Sequence, residues 1–382
     1  MPKPDSSSTP TAPKPPLGEV KMGKRITVPF GSQHVALPEP VRFVFQTENE
    51  KIVDVDVDVG YVHRGIEKAC MTKFKYLQVG YVVARVCGLC AISHTLGYVT
   101  AVERLMKVEV PKKALYLRLI VSELDRIHSH LLAMGHTAEV AGYENLFMQT
   151  FRYRELVMEI LELLTGNRVQ FDFAAPGGVN RDLTREVEIE IRRKLKELKE
   201  HCLWLKDVYE NDFSLSLRWK GIGVVTPEMA TEMNVVGPPA RAAGLATDAR
   251  AEFNYLPFEE VGFKLITLEG GSIYERNLLR ALEVLNSIEM VENALEGLPE
   301  GEIKVSVKGV PEGEYFVRVE APRGELFYYI KASKKMVLDR LRIRVPTFAN
   351  IPVMKELFIG MDYADVPATV ISFDPCLSCT AR

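Results

Sequence analysis

RVCGLCAISH, residues 85–94, sets Cys87 and Cys90 three positions apart and places His94 one helical turn after the second. The last eight residues, PCLSCTAR (375–382), repeat the spacing with Cys376 and Cys379, so nearly the whole chain lies between the two pairs. A secreted disulfide scaffold would be short and denser in cysteine; in a chain of 382 residues with six cysteines, pairs point to metal or redox chemistry. Cys70 and Cys202 stand alone and read as small buried hydrophobes. A thioredoxin-like dithiol needs a βαβ setting that neither pair has, and a zinc ribbon needs a gap of about 15–20 residues. Two readings stay open on spacing alone. One is a zinc clip joining distant ends; the other is a single four-thiolate site for a redox metal, since soft thiolates suit nickel and iron as well as zinc. Cys87 and Cys90 fall where SHTLGYVTAVERLMK begins a helix, whose positive end favours the thiolate form.

Outward from the pairs, the chain reads as α+β, predominantly helical, with strands flanking a helical centre. ITVPF, VRFVFQT and KIVDVDVDV are strands within residues 25–59, the last two joined by a turn at ENE. Asp54, Asp56 and Asp58 alternate with valines and lack the glycine and terminal glutamate of a calcium loop, so they form a solvated strand face. From about 65 to 300 apolar residues recur at helical spacing. One helix is expected to end at Gly135, another at Gly166, and a long charge-laced one covers 183–211. IKVSVKG (303–309), the hairpin around EAPRGE and LRIRV return to strand, and helix and loop lead to the last cysteines. Lys+Arg 48 against Asp+Glu 51 gives nothing that calls for nucleic acid. No run approaches the roughly 18 apolar residues of a membrane helix. Residues 1–22, rich in Pro, Ser and Thr without an apolar stretch, read as a disordered or loosely docked arm rather than a secretory signal, and 23–382 as the functional domain.

The two cysteine motifs, together with FGSQHVALPEP, GYVHRGIEK, SELDRIHSHLL, GNRV, GGVNRD, GPPARAAG and VEAPRGE, resemble the large subunit of NiFe-hydrogenases. Within that family they are similar to the membrane-bound, energy-converting branch related to complex I, from about residue 25 to the end. The resemblance implies one NiFe(CN)2CO centre held by Cys87, Cys90, Cys376 and Cys379, with Cys87 and Cys376 terminal on nickel and Cys90 and Cys379 bridging to iron. It implies reversible reduction of protons to H2. It also implies an end at Arg382 that is either matured by cleavage or native to a member without a tail.

The same resemblance marks further residues. Glu39 in LPEP corresponds to a glutamate near the thiolates that passes protons, and Arg323 in APRGE to an arginine over the metal. His94, Asp374 and Thr347 are implied as hydrogen-bond partners of the ligands. Glu67 in RGIE corresponds to a magnesium ligand. Asp125 and His128 share one helix and are candidates for a proton route, against a reading of His128 as a surface histidine; His130 lies beside them. His34 sits where complex I relatives carry a loop linked to quinone chemistry. The implied partners are a small subunit with a 4Fe–4S cluster, a ferredoxin-like FeS subunit and complex I-like membrane subunits that move H+ or Na+. Electrons would come from ferredoxin, formate or a CO dehydrogenase module, and the chain would sit peripherally on the cytoplasmic side of the membrane.

Overall fold

The computed structural model describes residues 24–382, so the arm expected over 1–22 lies outside the described residues. The architecture is mixed α and β and predominantly helical, about 52% helix and 14% strand, with three small antiparallel sheets. Strands β1 (Ile26–Phe30), β2 (Arg42–Glu48) and β3 (Lys51–Asp58) form the first sheet in that order. Asn49 and Glu50 both take positive φ, as a tight hairpin between twisted strands requires. The pairing slips between Gln46 and Thr47, leaving Val53 as an extra residue. That bulge turns Ile52 inward together with Val55, so the strict alternation read from the sequence holds only beyond it.

Helices α1 (Ile66–Thr72), α2 (Tyr76–Ala84), α3 (Ala91–Met106), α4 (Lys112–Val140) and α5 (Glu144–Thr165) follow. The two-residue strands β4 (Ala174–Ala175) and β5 (Gly178–Val179) then lead into α6 (Arg185–Asn211) and α7 (Phe213–Trp219). Three short helices, α8 (Pro227–Glu232), α9 (Pro238–Ala242) and α10 (Ala249–Glu252), precede α11 (Ile273–Glu296). The last sheet, β6 (Glu312–Ala321), β7 (Gly324–Ser333) and β8 (Arg340–Arg344), is followed by α12 (Pro346–Phe358), α13 (Val366–Ser372) and α14 (Leu377–Ala381). Helices α4, α5, α6 and α11 pack in sequence around a shared core, with α3 and the β6–β7 hairpin laid on one side. A second core joins the first sheet to α12.

Two local expectations give way to packing. Gly166 does end its helix, at φ 82°. Gly135 does not: α4 continues to Val140, and a Cβ at 135 would lie 2.9 Å from Phe151. The glycine serves the close approach of α4 and α5 rather than a cap. IKVSVKG is not a strand; only Lys304 bridges to Gly178, because the two-residue β5 is too short to template a ladder.

Helix α4 is buried on all sides, although its centre is polar. Its charges are matched inside the core. Arg126 pairs with Glu123 at 3.1 Å, and Arg250 with Asp248 at 2.8 Å and Glu123 at 3.3 Å. Arg241 meets Glu283 and Glu320, each at 2.8 Å, and His130 Nε2 donates to Glu283 at 2.8 Å. Four carboxylates thus share three guanidiniums, a state tolerable in a core only when nearly every charge is hydrogen-bonded.

Two outcomes are expected. Burial, with Asp248 adding to it, raises the Glu320 carboxyl to about 7 from an ordinary 4.5. Its stabilising contribution is therefore complete below the unfolded value and lost as pH rises through about 7. Glu320→Gln should flatten the fall in Tm between about pH 5 and 8, measured by thermal scans; an unchanged slope would contradict this. A Cβ at Gly97 would meet the Tyr328 ring at 2.6 Å. Gly97→Ala should therefore destabilise by about 1–3 kcal/mol in urea unfolding despite its better helix propensity.

Candidate metal centre

The four paired cysteines meet at one buried point. Cys90 is the residue before α3 and Cys376 the residue before α14, with Cys379 inside α14, so each pair lies at the start of a helix. Across the loops Cys87 Sγ lies 3.2 Å from Cys376 Sγ, and Cys90 Sγ 3.6 Å from Cys379 Sγ. Within the second pair the sulfurs are 3.1 Å apart. The residues expected to be terminal thus stand side by side, as do those expected to bridge. All four are free thiols and at most 3% exposed. A tetrahedron of metal–sulfur bonds near 2.3 Å places its sulfurs roughly 3.7 Å apart, so a small expansion of these three contacts fits a thiolate-bound metal. Among the described residues, Cys87, Cys90 and Cys379 form the one group of metal-type side chains gathered closely enough to hold an ion.

The electrostatics single out Cys87. Hydrogen bonds, chiefly from Cys376 and then from Cys379 and Cys90, pull its thiol well below the ordinary range, and the Arg323 charge adds to this. Burial foremost pushes Cys379 well up. Cys70 and Cys202, buried apart from the cluster, are both pushed up to about 12 by burial.

The surrounding residues come from every part of the chain. Glu39 accepts hydrogen bonds from the backbone N–H groups of Leu377 and Ser378 and from the Ser378 hydroxyl, which seats it against the second cysteine loop. Arg323, at the β6–β7 turn, donates to the Asp374 carboxylate and carbonyl at 2.7 Å each and to Ser129 Oγ at 3.1 Å. Asp374 adopts a positive φ of 55° to make this contact. Thr347 Oγ1 accepts from the Cys376 N–H at 3.0 Å. His94 Nε2 is 3.3 Å from Cys379 Sγ, not from its helical neighbour Cys90, and its Nδ1 is 2.7 Å from the Tyr328 hydroxyl. Burial lowers His94 to about 4, so the ring is neutral.

Other expectations meet a different setting. Glu67 accepts from Arg382 at 2.9 Å, Arg342 at 3.0 Å and the Ile343 N–H at 2.9 Å. Two guanidiniums are the wrong company for a magnesium ligand, and the donor set does not fit that ion. His128 is fully buried rather than at the surface; its Nδ1 faces Arg154 at 2.8 Å. Asp125 lies 3.3 Å from His128 Nε2, yet both its oxygens lack a hydrogen bond. Burial, and next the charge on Cys87, raise its carboxyl well above the ordinary range. His34 stacks on Phe30 at 3.7 Å and accepts from the Ala36 N–H. Sequence reasoning missed Ser129, Tyr328 and Arg64, which touch the site only through the tertiary fold.

Residues 64–138 match the family model for nickel-dependent hydrogenase, and residues 141–309 and 305–382 match that for the 49 kDa subunit of respiratory-chain NADH dehydrogenase. The membrane-bound hydrogenase subunit alpha of Pyrococcus furiosus is 37% identical over 94% of this chain and 87% of its own length. A subunit of the NADH-quinone oxidoreductase of Carboxydothermus hydrogenoformans is 35% identical over 93% and 98%. Among solved structures, a chain of the membrane-bound sulfane sulfur reductase, an archaeal respiratory membrane complex, superposes with a TM-score of 0.89 at 29% identity, covering 94% of this chain and 98% of that one. No helix among the described residues is long and apolar enough to cross a membrane. The chain belongs to the family that unites the large subunits of membrane-bound nickel-dependent hydrogenases with the 49 kDa subunit of the respiratory-chain NADH dehydrogenase.

Proposed function

We propose that this chain is the catalytic subunit of an energy-converting NiFe-hydrogenase that interconverts H2 with two protons and two electrons. The observation that carries the reading is the convergence of four buried cysteine sulfurs, two from each end of the chain. Cys87, Cys90, Cys376 and Cys379 would hold the nickel–iron group, which supplies the redox chemistry when bound. The chain's own residues provide the rest. Glu39 sits half-buried on the second cysteine loop and exchanges protons between the thiolates and the outside. Arg323 brings a fixed charge to the thiolates, held in place by Asp374 and Ser129. Asp125, buried and without a hydrogen bond, is kept in its neutral acid form by burial and by the Cys87 charge, and is a second proton-bearing group. Neutral His94 supports Cys379 through Nε2 while Tyr328 fixes the other face of the ring. Thr347 holds the backbone of Cys376.

By this reading residues 23–382 act as one unit with a small 4Fe–4S subunit, a ferredoxin-like subunit and membrane subunits that translocate H+ or Na+. The chain is a peripheral subunit on the cytoplasmic face, with electrons from ferredoxin, formate or CO oxidation. The relatives named for membrane complexes support such an assembly. The likeness to a sulfane sulfur reductase favours one second reading, a metal-bearing sulfur reductase on the same scaffold.

Infrared spectra and metal analysis of the purified complex should show carbon monoxide and cyanide stretches with nickel and iron in equal amounts. Zinc alone, without those bands, would leave a structural clip. Bands without hydrogen turnover, but with polysulfide reduction, would favour the second reading. Glu39→Gln should lower proton-coupled turnover by about 10²–10⁴-fold with metal content unchanged. Unaltered turnover in that variant would remove Glu39 from the proton route.

A further inference from the structure

We infer that Arg64 is a positioning residue that clamps the two cysteine loops together, so that the four-thiol site is assembled before any metal enters it. The guanidinium of Arg64 donates from Nη1 to the Arg85 carbonyl at 2.7 Å and from Nη2 to the Val86 carbonyl at 2.8 Å. The same Nη2 donates to the Ser378 carbonyl at 3.0 Å, and Nε to the Val62 carbonyl at 3.2 Å. Arg85 and Val86 lead directly into Cys87, and Ser378 lies between Cys376 and Cys379. One side chain therefore fixes the approach to the first thiol and the middle of the second pair.

Most other polar contacts to these loops serve one loop only. Glu39 and Thr347 hold residues 376–378, and Arg323 holds Asp374. His94 spans both, but through the sulfur of Cys379, a contact that changes when that thiol is deprotonated or bound. Every acceptor of Arg64 is a backbone carbonyl, so its bonds are the same for thiol, thiolate and metal-bound cysteine. The rigid fork of a guanidinium can reach carbonyls on two loops at once, whereas the compact ammonium of lysine cannot match that directionality. The neighbouring His63 reinforces the clamp, its Nδ1 lying 2.6 Å from the Ala381 carbonyl. Arg64 is itself exposed, so its removal leaves the packed cores intact.

The importance of the clamp for metal loading rests on the reading of the cysteines as a metal site, but the clamp is testable without it. The test is hydrogen–deuterium exchange on the full chain, purified from nickel-free growth, as wild type, Arg64→Ala and Arg64→Lys, followed by titration of each with Ni2+ and observation of thiolate-to-nickel absorption. In Arg64→Ala, peptides covering 374–382 should exchange roughly tenfold faster or more while those from α4 and α11 stay unchanged. Ni2+ binding should weaken by a similar factor, with an absorption band altered in shape, and Arg64→Lys should not restore it. Unchanged exchange over 374–382 overturns the proposal. So does faster exchange throughout the chain, which would make Arg64 a general stability residue. If the wild type binds no Ni2+ while Arg64→Ala still frees 374–382, the clamp stands and the metal reading fails.

Discussion

Placing Cys87 Sγ 3.2 Å from Cys376 Sγ closes a loop of 289 positions, and the rest of the structure is arranged around that closure. Loop entropy alone is a modest obstacle, because its cost grows only with the logarithm of length. The harder constraint is chemical. Four thiols in a dry site repel one another as they ionise, so the backbone must hold them together without help from the sulfurs. The contacts that do so end on backbone groups: Arg64 on carbonyls of both loops, Glu39 and Thr347 on N–H groups of the second. Those contacts survive changes in thiol protonation, which a sulfur-centred bond would not.

Helix α4 makes this arrangement rigid at a cost. It carries Glu123, Asp125, Arg126, His128 and His130 through the interior, where an unpaired charge is expensive. Most of them are matched by Arg154, Arg250 and Glu283 from other elements, so the interior is held by directional pairs as well as by apolar packing. Neither oxygen of Asp125 has a hydrogen bond, and after burial the Cys87 charge helps to raise its carboxyl. Arg323 approaches from the β6–β7 turn and is held by Ser129 of α4 and by Asp374.

The family holds both hydrogenases and quinone-linked dehydrogenase subunits, and this chain is nearly as similar to one as to the other. Overall identity and fold therefore decide little about chemistry. What bears on chemistry in this chain is the handful of side chains gathered where the two cysteine segments meet. Those positions hold soft sulfur donors, with His94 set against Cys379 and the other polar groups holding the backbone around them.

Much of the fold was legible in the sequence because local rules governed it. Hairpin residues, helical periodicity, the Gly166 cap and the turns carrying both cysteine pairs needed no distant partner. The four cysteines were legible by spacing, and Glu39, Arg323, His94, Asp374 and Thr347 by resemblance to a family. Expectations failed where packing overrode a local preference: Gly135 accommodates Phe151, Val53 is a bulge, and 303–309 finds no strand to pair with. Arg342 and Arg382 reach Glu67 from the far end of the chain, which nothing in its own segment shows. The sequence by itself determined which residue types are available and which short elements carry them. Only the tertiary structure decided which met, because sulfur–sulfur proximity, the reach of Arg64 and the burial of Asp125 depend on contacts between segments that share no local signal.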